Sequence, residues 1–450
     1  MTQKGRLVLN SSPATDMLPE DGIVLGKALA ADNHTVVVSR DLMRSSAVMA
    51  NAVMSGLLFQ GADVIDAGVL SAPAAALAAS KGDCGVYVAG RPDSNSGYWL
   101  FNKDGRLFRD DQIRHLDIVL QTLPEAPGHD ALGTYRKTTT ATEEYNRMIS
   151  GKVDGGLKCS AVLDCSCGTT ADSLTSVLGS MDADIVMINA QPDPAYVPEW
   201  DQDGVPKVLG DYIRSNPGNI GIRLNGAGTK VDIIDESGTI VPMATAFALL
   251  VMYLKPSSIA VTADSTSLIE DAFNGTIETD IVSPFEARPE DERKVIVTRD
   301  NAASVSEAVA DGAELGYNHG TIIFGKGVPI GDGIFASALI AHMAGDNSIH
   351  RLAESLPEYF SDMTTVKCPI KADAYRRAMD ENLGDLAEKC IRYGDSYKVV
   401  MDEGWFVARH ATGPDDSFSV EILAESRDRA YLVGLMEVAG ELVEAALRGH

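Results

Sequence analysis

Short apolar runs alternate with helical stretches through the first 150 residues of this 450-residue chain. The run HTVVVSRD predicts a buried strand with a polar end, and the spacing of apolar residues from Ser45 to Gln60 predicts a helix after it. Pro73 opens another helix, where its missing N–H costs little. Further strands are predicted from GADVIDAG, CGVYVAG and YWLFNKDG. This alternation is typical of an α/β layer fold.

The same alternation restarts twice, at Leu157 and near Ser257. After Pro369 the pattern changes to a helix, then strands, then a long terminal helix from Arg427 to Arg448. We therefore predict three similar α/β units followed by a different, smaller unit. The predicted limits of units I to IV are 1–150, 151–255, 256–364 and 365–450.

Charge and hydropathy narrow the classes of function. The formal net charge is -26, which argues against nucleic acid and against anionic membranes as partners, because both require basic surface. The longest apolar run, Met243 to Leu254, is too short to span a bilayer. The N-terminal segment lacks the apolar stretch of a signal peptide, so we expect a cytoplasmic protein.

Six cysteines are scattered along the chain rather than arranged as a disulfide framework. Cys165 and Cys167 follow an apolar run, and we interpret them as part of a strand-to-loop turn. A zinc site there is disfavoured, because no second pair of cysteines or histidines has the required spacing. The thiols fit a reducing compartment.

Seven stretches keep the order and spacing of the motifs of one protein family, from about Arg6 to the C-terminus. SRDLMRSS is similar to GRDTRxSS, and SGYWLFNKDGRLF is similar to YNGIKLFNxDGxxF. The other five are GLLFQGADVIDAGVLSAP, LDCSCGTTADSLTSVLGSMDADIVMINAQPDPAYVPEWD, VDIIDESGTIV, GTIIFGKGVPIGDGIFASALIAHMA and GWFVARHATG. The chain thus resembles the phosphohexomutases, which comprise phosphomannomutase, phosphoglucomutase and phosphoglucosamine mutase. The resemblance implies four domains around a central cleft: three similar α/β domains with mixed sheets and a smaller α+β C-terminal domain.

The chain departs from this family at the positions of the family's catalytic residues. The family transfers a phosphoryl group through a phosphoserine in a TASHNP loop, whose equivalent here is 89–97. Arg91 stands at the nucleophile position, and Trp99 stands where the family has a lysine that assists proton transfer. Ser94 and Ser96 are weak surrogates, because they align with another part of the loop.

The metal loop departs in the same way. The family holds a magnesium ion with three aspartates in DGDxDR, and the equivalent loop here is 225–230. Asn225, Ala227 and Thr229 occupy the three ligand positions. Magnesium prefers charged oxygen ligands in octahedral geometry, so we predict no metal and no other cofactor. Asp232 and Asp235 lie nearby, but they alternate with apolar residues as strand residues do.

The two loops that bind substrate in the family are also altered. The sugar-binding GExSGH becomes GYNHGT at 316–321, with Tyr317 in place of the glutamate. The phosphate-binding RPSGTEP becomes RHATGPD at 409–415, which keeps an arginine and a hydroxyl but puts Ala411 in place of the serine. The N-terminal TSGIRG is altered too, with Ala14 in place of its arginine.

If the fold is kept, these changes put cations where the family has a phosphoserine and metal-binding aspartates. We predict a cation-lined cleft that holds a sugar phosphate or another small anion by charge-assisted hydrogen bonds. The competing interpretation is that these side chains belong to solvated loops and turns. The predicted ligand-binding residues are Arg91, Lys230, Asn318, His319, Arg409, His410 and Thr412.

Three hypotheses about function remain open at this stage. The first is a phosphohexomutase-like protein that has lost catalysis and binds a sugar phosphate or regulates a true mutase, as a homo-oligomer or as a heteromer. The second is an active phosphomannomutase- or phosphoglucosamine-mutase-type phosphotransferase with a remodelled site that uses Ser94 or Ser96. The third is a structural or interaction protein whose cleft is empty. The first is favoured because phosphate-monoester chemistry requires rate accelerations up to about 10²¹-fold, and the main catalytic groups are absent from the sequence.

Overall fold

The chain folds into four β-sheets with helices packed against them, as seen in a computed structural model. The fold class predicted from the sequence, α/β units with mixed sheets followed by an α+β unit, is confirmed. The limits between the units stay predictions. The structure describes residues 18–91, 94–123, 125, 127–153, 159–181, 184–286, 288–299, 302–413 and 417–448, without the side chains of 91, 94–96, 110 and 290.

Unit I contains a five-stranded sheet of order β4-β3-β1-β2-β5, parallel except between β3 and β4. Val36, Val37 and Val38 are at most 1 % exposed, because helices cover both faces of the sheet. The helix predicted at Ser45–Gln60 is confirmed within one residue at each end. The elements are α1 Pro19–Leu29, β1 Thr35–Arg40, α2 Arg44–Phe59, β2 Asp63–Val69, α3 Ala72–Ala78, β3 Cys84–Arg91, β4 Ser94–Asn102, α4 Asp110–Gln121, β5 Tyr135–Lys137 and α5 Ala141–Ser150.

Unit II has a mixed sheet of order β10-β9-β8-β6-β7. Its last helix is the longest apolar run of the sequence, and it is mostly buried, packed against helices of unit III. Among the described residues, no helix is long and apolar enough to cross a membrane. The elements are β6 Ser160–Asp164, α6 Ala171–Gly179, β7 Asp184–Ile188, α7 Lys207–Ser215, β8 Asn219–Leu224, β9 Val231–Ile234, β10 Ile240–Val241 and α8 Met243–Leu254.

Unit III has a four-stranded sheet of order β12-β11-β13-β14. Its last two strands form a tight hairpin whose two turn residues, His319 and Gly320, have φ values of 42° and 78°. Positive φ at both positions matches a type I′ turn, which suits the twist of paired strands. The elements are β11 Ser258–Thr262, α9 Ser267–Asn274, β12 Lys294–Thr298, α10 Ala302–Ala310, β13 Leu315–Asn318, β14 Thr321–Phe324, α11 Gly333–Ala344 and α12 Ile349–Ser355.

Unit IV is an antiparallel sheet of order β15-β19-β18-β17-β16, covered by two helices. The sequence predicts a helix first, but a strand precedes it, a few residues before the predicted limit. This edge strand has mostly exposed side chains, so it lacks the apolar alternation that marks a strand in the sequence. The elements are β15 Phe360–Cys368, α13 Ala372–Asn382, β16 Cys390–Tyr393, β17 Ser396–Met401, β18 Gly404–Thr412, β19 Phe418–Ser426 and α14 Arg429–Leu447.

The packing between units differs along the chain. One buried apolar cluster runs continuously through units I, II and III, whereas unit IV has a separate core. Several of the contacts between units III and IV are polar, such as the hydrogen bond from the Trp405 indole to Ser267 Oγ and the ion pair between Arg427 and Asp271. A polar boundary of this kind can enclose a ligand site, because side chains from both units line it.

Candidate functional site

The equivalent of the phosphoserine loop is a hairpin between β3 and β4, in which Ala89 pairs with Gly97 and Arg91 pairs with Ser94. Its base is held by Asp41, whose Oδ2 accepts a hydrogen bond of 2.6 Å from the backbone N–H of Gly90. Burial raises the pKa of Asp41, and hydrogen bonds from Ser46, Gly90 and Met43 oppose that rise. The side chains of Arg91, Ser94 and Ser96 lie outside the described part of the chain, so their roles stay predictions.

Trp99 occupies the position of the family's lysine. Its ring is partly buried and meets the ring of Tyr87 edge-on, with 6.1 Å between centroids. The Tyr87 hydroxyl donates to the backbone oxygen of Leu70. An aromatic pair anchored in this way stabilises the sheet by packing, and an indole cannot deliver a proton as an ammonium group does.

The loop between β8 and β9 is the equivalent of the family's metal loop, and Asn225 stabilises it by side-chain hydrogen bonds. Its Oδ1 accepts hydrogen bonds from the backbone N–H groups of Thr229 and Lys230, at 2.8 and 3.1 Å. Its Nδ2 donates to Thr229 Oγ1 at 2.9 Å. Both side chains that offer oxygen at the former ligand positions are therefore engaged within the loop.

The carbonyl groups of this loop are engaged as well, and they join three units. Gly226 O accepts from Thr169 N in unit II, Ala227 O accepts from Ala72 N in unit I, and Gly228 O accepts from Gly333 N in unit III. Magnesium requires several oxygen ligands, with negative charge among them. The donor set of this loop is neutral and already hydrogen-bonded, so it does not fit that ion.

Asp232 and Asp235 are the nearest carboxylates in sequence, and both are paired with other side chains. Asp232 Oδ2 lies 2.6 Å from Arg223 Nη1, and Asp235 Oδ2 lies 2.9 Å from His350 Nδ1. Burial raises the pKa of Asp235, but hydrogen bonds from Ser237, Thr239 and His350 outweigh burial and hold it below its ordinary value. Within the described ranges, no group of three or more His, Cys, Asp or Glu side chains is arranged to hold a metal ion.

Replacing Asn225 by alanine is expected to lower the free energy of unfolding by about 2–3 kcal/mol, because partly buried backbone donors lose their acceptor. Asn225→Asp keeps an acceptor at the same place and is the matched control, with an expected cost of about 1 kcal/mol or less. Urea denaturation followed by circular dichroism measures both. Equal losses for the two variants would contradict the role of the Oδ1 acceptor.

The equivalent of the sugar loop is the β13–β14 hairpin. Tyr317, which replaces the family's glutamate, is 8 % exposed and stacks on Phe247 of α8, with 5.0 Å between ring centroids. Burial raises the pKa of Tyr317, and a hydrogen bond from the backbone of Gly320 opposes that rise. The side chain therefore serves as a neutral aromatic wall, and it does not supply the negative charge of a glutamate.

Three of the predicted ligand-binding residues, each from a different unit, converge beside this hairpin. Lys230 Nζ of unit II donates to the backbone oxygen of His319 at 3.2 Å. His319 Nε2 of unit III and Arg409 Nη1 of unit IV both lie 3.5 Å from Asp264 Oδ2. Arg409 also pairs with Glu421 at 2.5 Å. Tertiary structure thus brings together side chains that are far apart in the sequence.

Other predicted ligand residues lie elsewhere. The ring of His410 is buried between Tyr375 and Phe418, and its Nε2 contacts the backbone oxygen of Ile370 at 2.9 Å. Successive side chains of a strand point to opposite faces, so His410 faces the core of unit IV while Arg409 faces unit III. Thr412 is exposed at the end of β18.

Asn318 is the remaining predicted ligand residue. It is 8 % exposed, and its Oδ1 has no hydrogen-bond partner among the described residues. The side chains on either side of it, Tyr317 and His319, line the cavity between units III and IV, whereas Asn318 does not. Strand alternation accounts for this separation, as it does for His410.

That cavity has a volume of about 190 Å³. Two of its lining side chains are carboxylates, Asp264 and Glu425, and among the described residues no lysine or arginine lines it. The charged residues that line this cavity are thus acidic, apart from His319, and the cations Lys230 and Arg409 lie around it, so the predicted cation-lined cleft stays a prediction. The whole lining consists of Ala244, Thr262, Asp264, Ser265, Thr266, Tyr317, His319, Ser361, Trp405, Leu423 and Glu425.

Sequence reasoning missed the acidic residues and their aromatic neighbour. Glu425 Oε1 accepts from Ser267 N at 2.8 Å and from Trp405 Nε1 at 3.1 Å. Lys398, 7 % exposed, lies 4.5 Å from the centre of the Trp405 ring. Burial lowers the pKa of Lys398, while Glu270, Glu425 and Asp264 oppose that shift. One signal was available, because Asp264 follows a buried parallel strand, where ligand sites gather.

Comparison with known proteins follows this geometry. The family model described as phosphoglucomutase/phosphomannomutase, alpha/beta/alpha domain I, matches residues 15–123. A probable phosphoglucosamine mutase of Methanococcoides burtonii is 28% identical over 98% of this chain and 98% of its own length. A phosphoglucomutase/phosphomannomutase family protein of Burkholderia thailandensis has a similar structure, with a TM-score of 0.75, 19% identity, and coverage of 96% of this chain and 95% of that one. Over almost its whole length, the chain is similar to proteins of the α-D-phosphohexomutase superfamily.

Similarity to this superfamily extends along the whole chain. A probable phosphoglucosamine mutase of Methanosarcina barkeri is 25% identical over 96% of both chains. The similarity therefore covers all four units.

Proposed function

We propose that this phosphohexomutase-family protein binds a phosphorylated hexose or hexosamine between units III and IV, without magnesium-dependent transfer through a phosphoserine. The observation that carries the proposal is the convergence of Lys230, His319 and Arg409, from three units, beside one cavity. Cations at this place can hold a phosphate by charge-assisted hydrogen bonds. The internally bonded loop at 225–230 supports the absence of a metal step.

The test is titration calorimetry of the protein with glucose 6-phosphate and with glucosamine 6-phosphate, each with and without magnesium. We expect binding that does not depend on magnesium. A ligand at 100 times its dissociation constant also stabilises the folded chain by about 2.7 kcal/mol, which a thermal-shift measurement detects. Absence of binding by both sugar phosphates at millimolar concentration would contradict the proposal and favour a protein with an empty cleft.

Lys230→Gln is expected to weaken sugar-phosphate binding about tenfold, because one charge-assisted hydrogen bond to the phosphate is lost. Lys326→Gln is the matched control, since Lys326 is exposed in the turn after β14 and lies outside the cavity lining. Calorimetry of the two variants, side by side, measures the effect. Equal affinities of the two variants for the sugar phosphate would show that Lys230 does not contribute to binding.

A second candidate is an active mutase with a remodelled site, as outlined from the sequence. The full-length similarity to proteins named probable phosphoglucosamine mutase supports it. Under this alternative, Ser94 or Ser96 carries a phosphate, and the protein interconverts glucosamine 6-phosphate and glucosamine 1-phosphate. Intact-mass analysis and a ³¹P NMR assay of the reaction distinguish the candidates: a phosphoserine together with turnover replaces the first proposal by the second.

A further inference from the structure

His319 lies at an unusual position for a histidine. It is the first turn residue of the β13–β14 hairpin, with a φ of 42°, and its side chain lines the cavity between units III and IV while remaining 56 % exposed. A non-glycine residue in this left-handed region costs about 1–3 kcal/mol, and such residues cluster at active sites and ligand clamps. The turn itself favours asparagine or glycine, so it does not explain the imidazole.

A carboxylate orients one ring nitrogen of this histidine. His319 Nε2 lies 3.5 Å from Oδ2 of Asp264, whose side chain is only 7 % exposed. Because a carboxylate is an acceptor, this contact favours the tautomer with the proton on Nε2 and the lone pair on Nδ1. A histidine whose base nitrogen is presented by a third group in this way can act as a nucleophile.

Two cations from other units lie next to the same histidine. Lys230 Nζ is 3.2 Å from its backbone oxygen, and Arg409 Nη1 is 3.5 Å from the Asp264 oxygen that His319 also contacts. Transfer of a phosphoryl group requires positive charge beside its oxygens, and lysine and arginine supply it as a metal ion does. The groups proposed to bind the phosphate therefore surround a side chain that can accept it.

We propose that His319 accepts a phosphoryl group from the bound hexose phosphate and forms a phosphohistidine without a metal ion. The inference rests on the proposed function, because the sugar phosphate must first bind beside Lys230 and Arg409. Nδ1 attacks phosphorus, the bond from phosphorus to the sugar oxygen breaks, and that oxygen takes a proton from solvent water. The phosphorylated ring keeps its Nε2 proton and becomes an imidazolium, whose positive charge Asp264 stabilises. Attack by a sugar hydroxyl restores the neutral ring and returns the proton to solvent.

The first test uses the unaltered protein. It is incubated with ³²P-labelled glucose 6-phosphate in the presence of EDTA, and the reaction is stopped in alkali. Phosphohistidine is stable in alkali and labile in acid, whereas phosphoserine is stable in acid. We expect acid-labile label, which mass spectrometry of the peptides places on His319. Acid-stable label on Ser94 or Ser96 would overturn the inference.

The second test uses His319→Asn, which keeps a residue suited to the left-handed turn and removes the nucleophilic nitrogen. Labelling is expected to be lost. His115→Asn is the matched control: His115 is also exposed and lies 2.8 Å from the carboxylate of Asp32, but it is outside the cavity lining. Its labelling is expected to equal that of the unaltered chain. Full labelling of His319→Asn would overturn the inference.

Asp264→Asn tests the orientation of the ring. The rate constant of labelling is expected to fall by up to about a hundredfold, because the nucleophile is held less accurately. Binding of glucose 6-phosphate, measured by calorimetry, is expected not to weaken, since Asp264 is a positioning residue that contacts the ring and not the phosphate. Labelling at the unaltered rate would overturn the role of Asp264.

Calorimetry and labelling together separate the two proposals. Binding of glucose 6-phosphate without any label would overturn the phosphohistidine and leave the proposed function in place. Absence of both binding and label would contradict the proposed function itself. The label on the unaltered chain decides the question even if a variant does not fold.

Discussion

Replacing Phe247 by alanine is expected to lower the free energy of unfolding by about 3–5 kcal/mol, the range for truncating a buried aromatic side chain. Phe247 is 0 % exposed and lies in the cluster that joins units I, II and III. Its ring stacks on Tyr317 at 28° between planes. The loss is large because the cavity left behind lies where two units meet and cannot collapse without moving them apart.

Urea denaturation followed by near-ultraviolet circular dichroism measures this loss, since the signal reports aromatic packing. Phe285→Ala is the matched control: Phe285 is 41 % exposed and meets Tyr253 edge-on at 5.7 Å. Its truncation is expected to cost about 1 kcal/mol, because little apolar area becomes newly exposed. If Phe247→Ala lowers the free energy of unfolding no more than the control does, the stack on Tyr317 does not contribute the stability that we assign to it.

The second large effect is a dependence of stability on pH that originates at Asp332. This side chain is 0 % exposed at the start of α11, where Oδ1 accepts from Phe335 N and from the Tyr145 hydroxyl. Burial raises its pKa from 3.8 to about 6, against the opposing effect of these hydrogen bonds. A carboxyl whose pKa is higher in the folded chain than in the unfolded chain stabilises the fold when it is protonated.

The contribution is fully present below pH 3.8 and is lost as the pH rises through about 6. At neutral pH the ionised carboxylate therefore costs about 3 kcal/mol, and roughly half of this cost develops between pH 5 and 7.5. Asp332→Asn keeps an oxygen acceptor and does not titrate. The free energy of unfolding of the variant, minus that of the unaltered chain, is expected to increase by about 1.4 kcal/mol from pH 5 to 7.5.

Thermal or urea unfolding of both proteins at the two pH values measures that difference. Asp63→Asn is a control without pH dependence in this range, because hydrogen bonds from Thr134 hold the pKa of Asp63 below its ordinary value of 3.8. The stability that this carboxyl contributes is fully present at both pH values, so its removal is expected to lower stability equally at pH 5 and at 7.5. A difference for Asp332→Asn that does not change with pH would show that Asp332 stays ionised, or stays protonated, across this range.

The loop at 225–230 is held by hydrogen bonds of its own atoms and links three units. Its carbonyl groups join units I, II and III, and Asn225 holds its backbone through side-chain hydrogen bonds. These bonds satisfy polar atoms that would otherwise be left unpaired in a partly buried loop. The loop therefore keeps a structural function, linking three units, that does not depend on a bound ion.

The alternation of strands and helices in unit I, and its restart in units II and III, followed from the sequence alone. Runs such as HTVVVSRD carry the β-branched residues of buried parallel strands, and the apolar spacing after Ser45 has the period of a helix. The expectation that Arg91 stands at the family's nucleophile position, and that Asn225, Ala227 and Thr229 stand at its metal-ligand positions, likewise comes from the sequence. These features are local or motif-based, so they need no knowledge of the packing.

Only the tertiary structure decided which side chains share a site. His410 and Arg409 are neighbours in sequence but face opposite sides of β18, so one lies in a core and the other beside the cavity. Asp264 and Glu425 are 161 residues apart (425 minus 264), and they line the same cavity because units III and IV pack together. Edge strand β15 also went unrecognised, since its exposed residues carry no apolar pattern. A sequence pattern reports burial within one element, whereas the charge of a site depends on the packing of several.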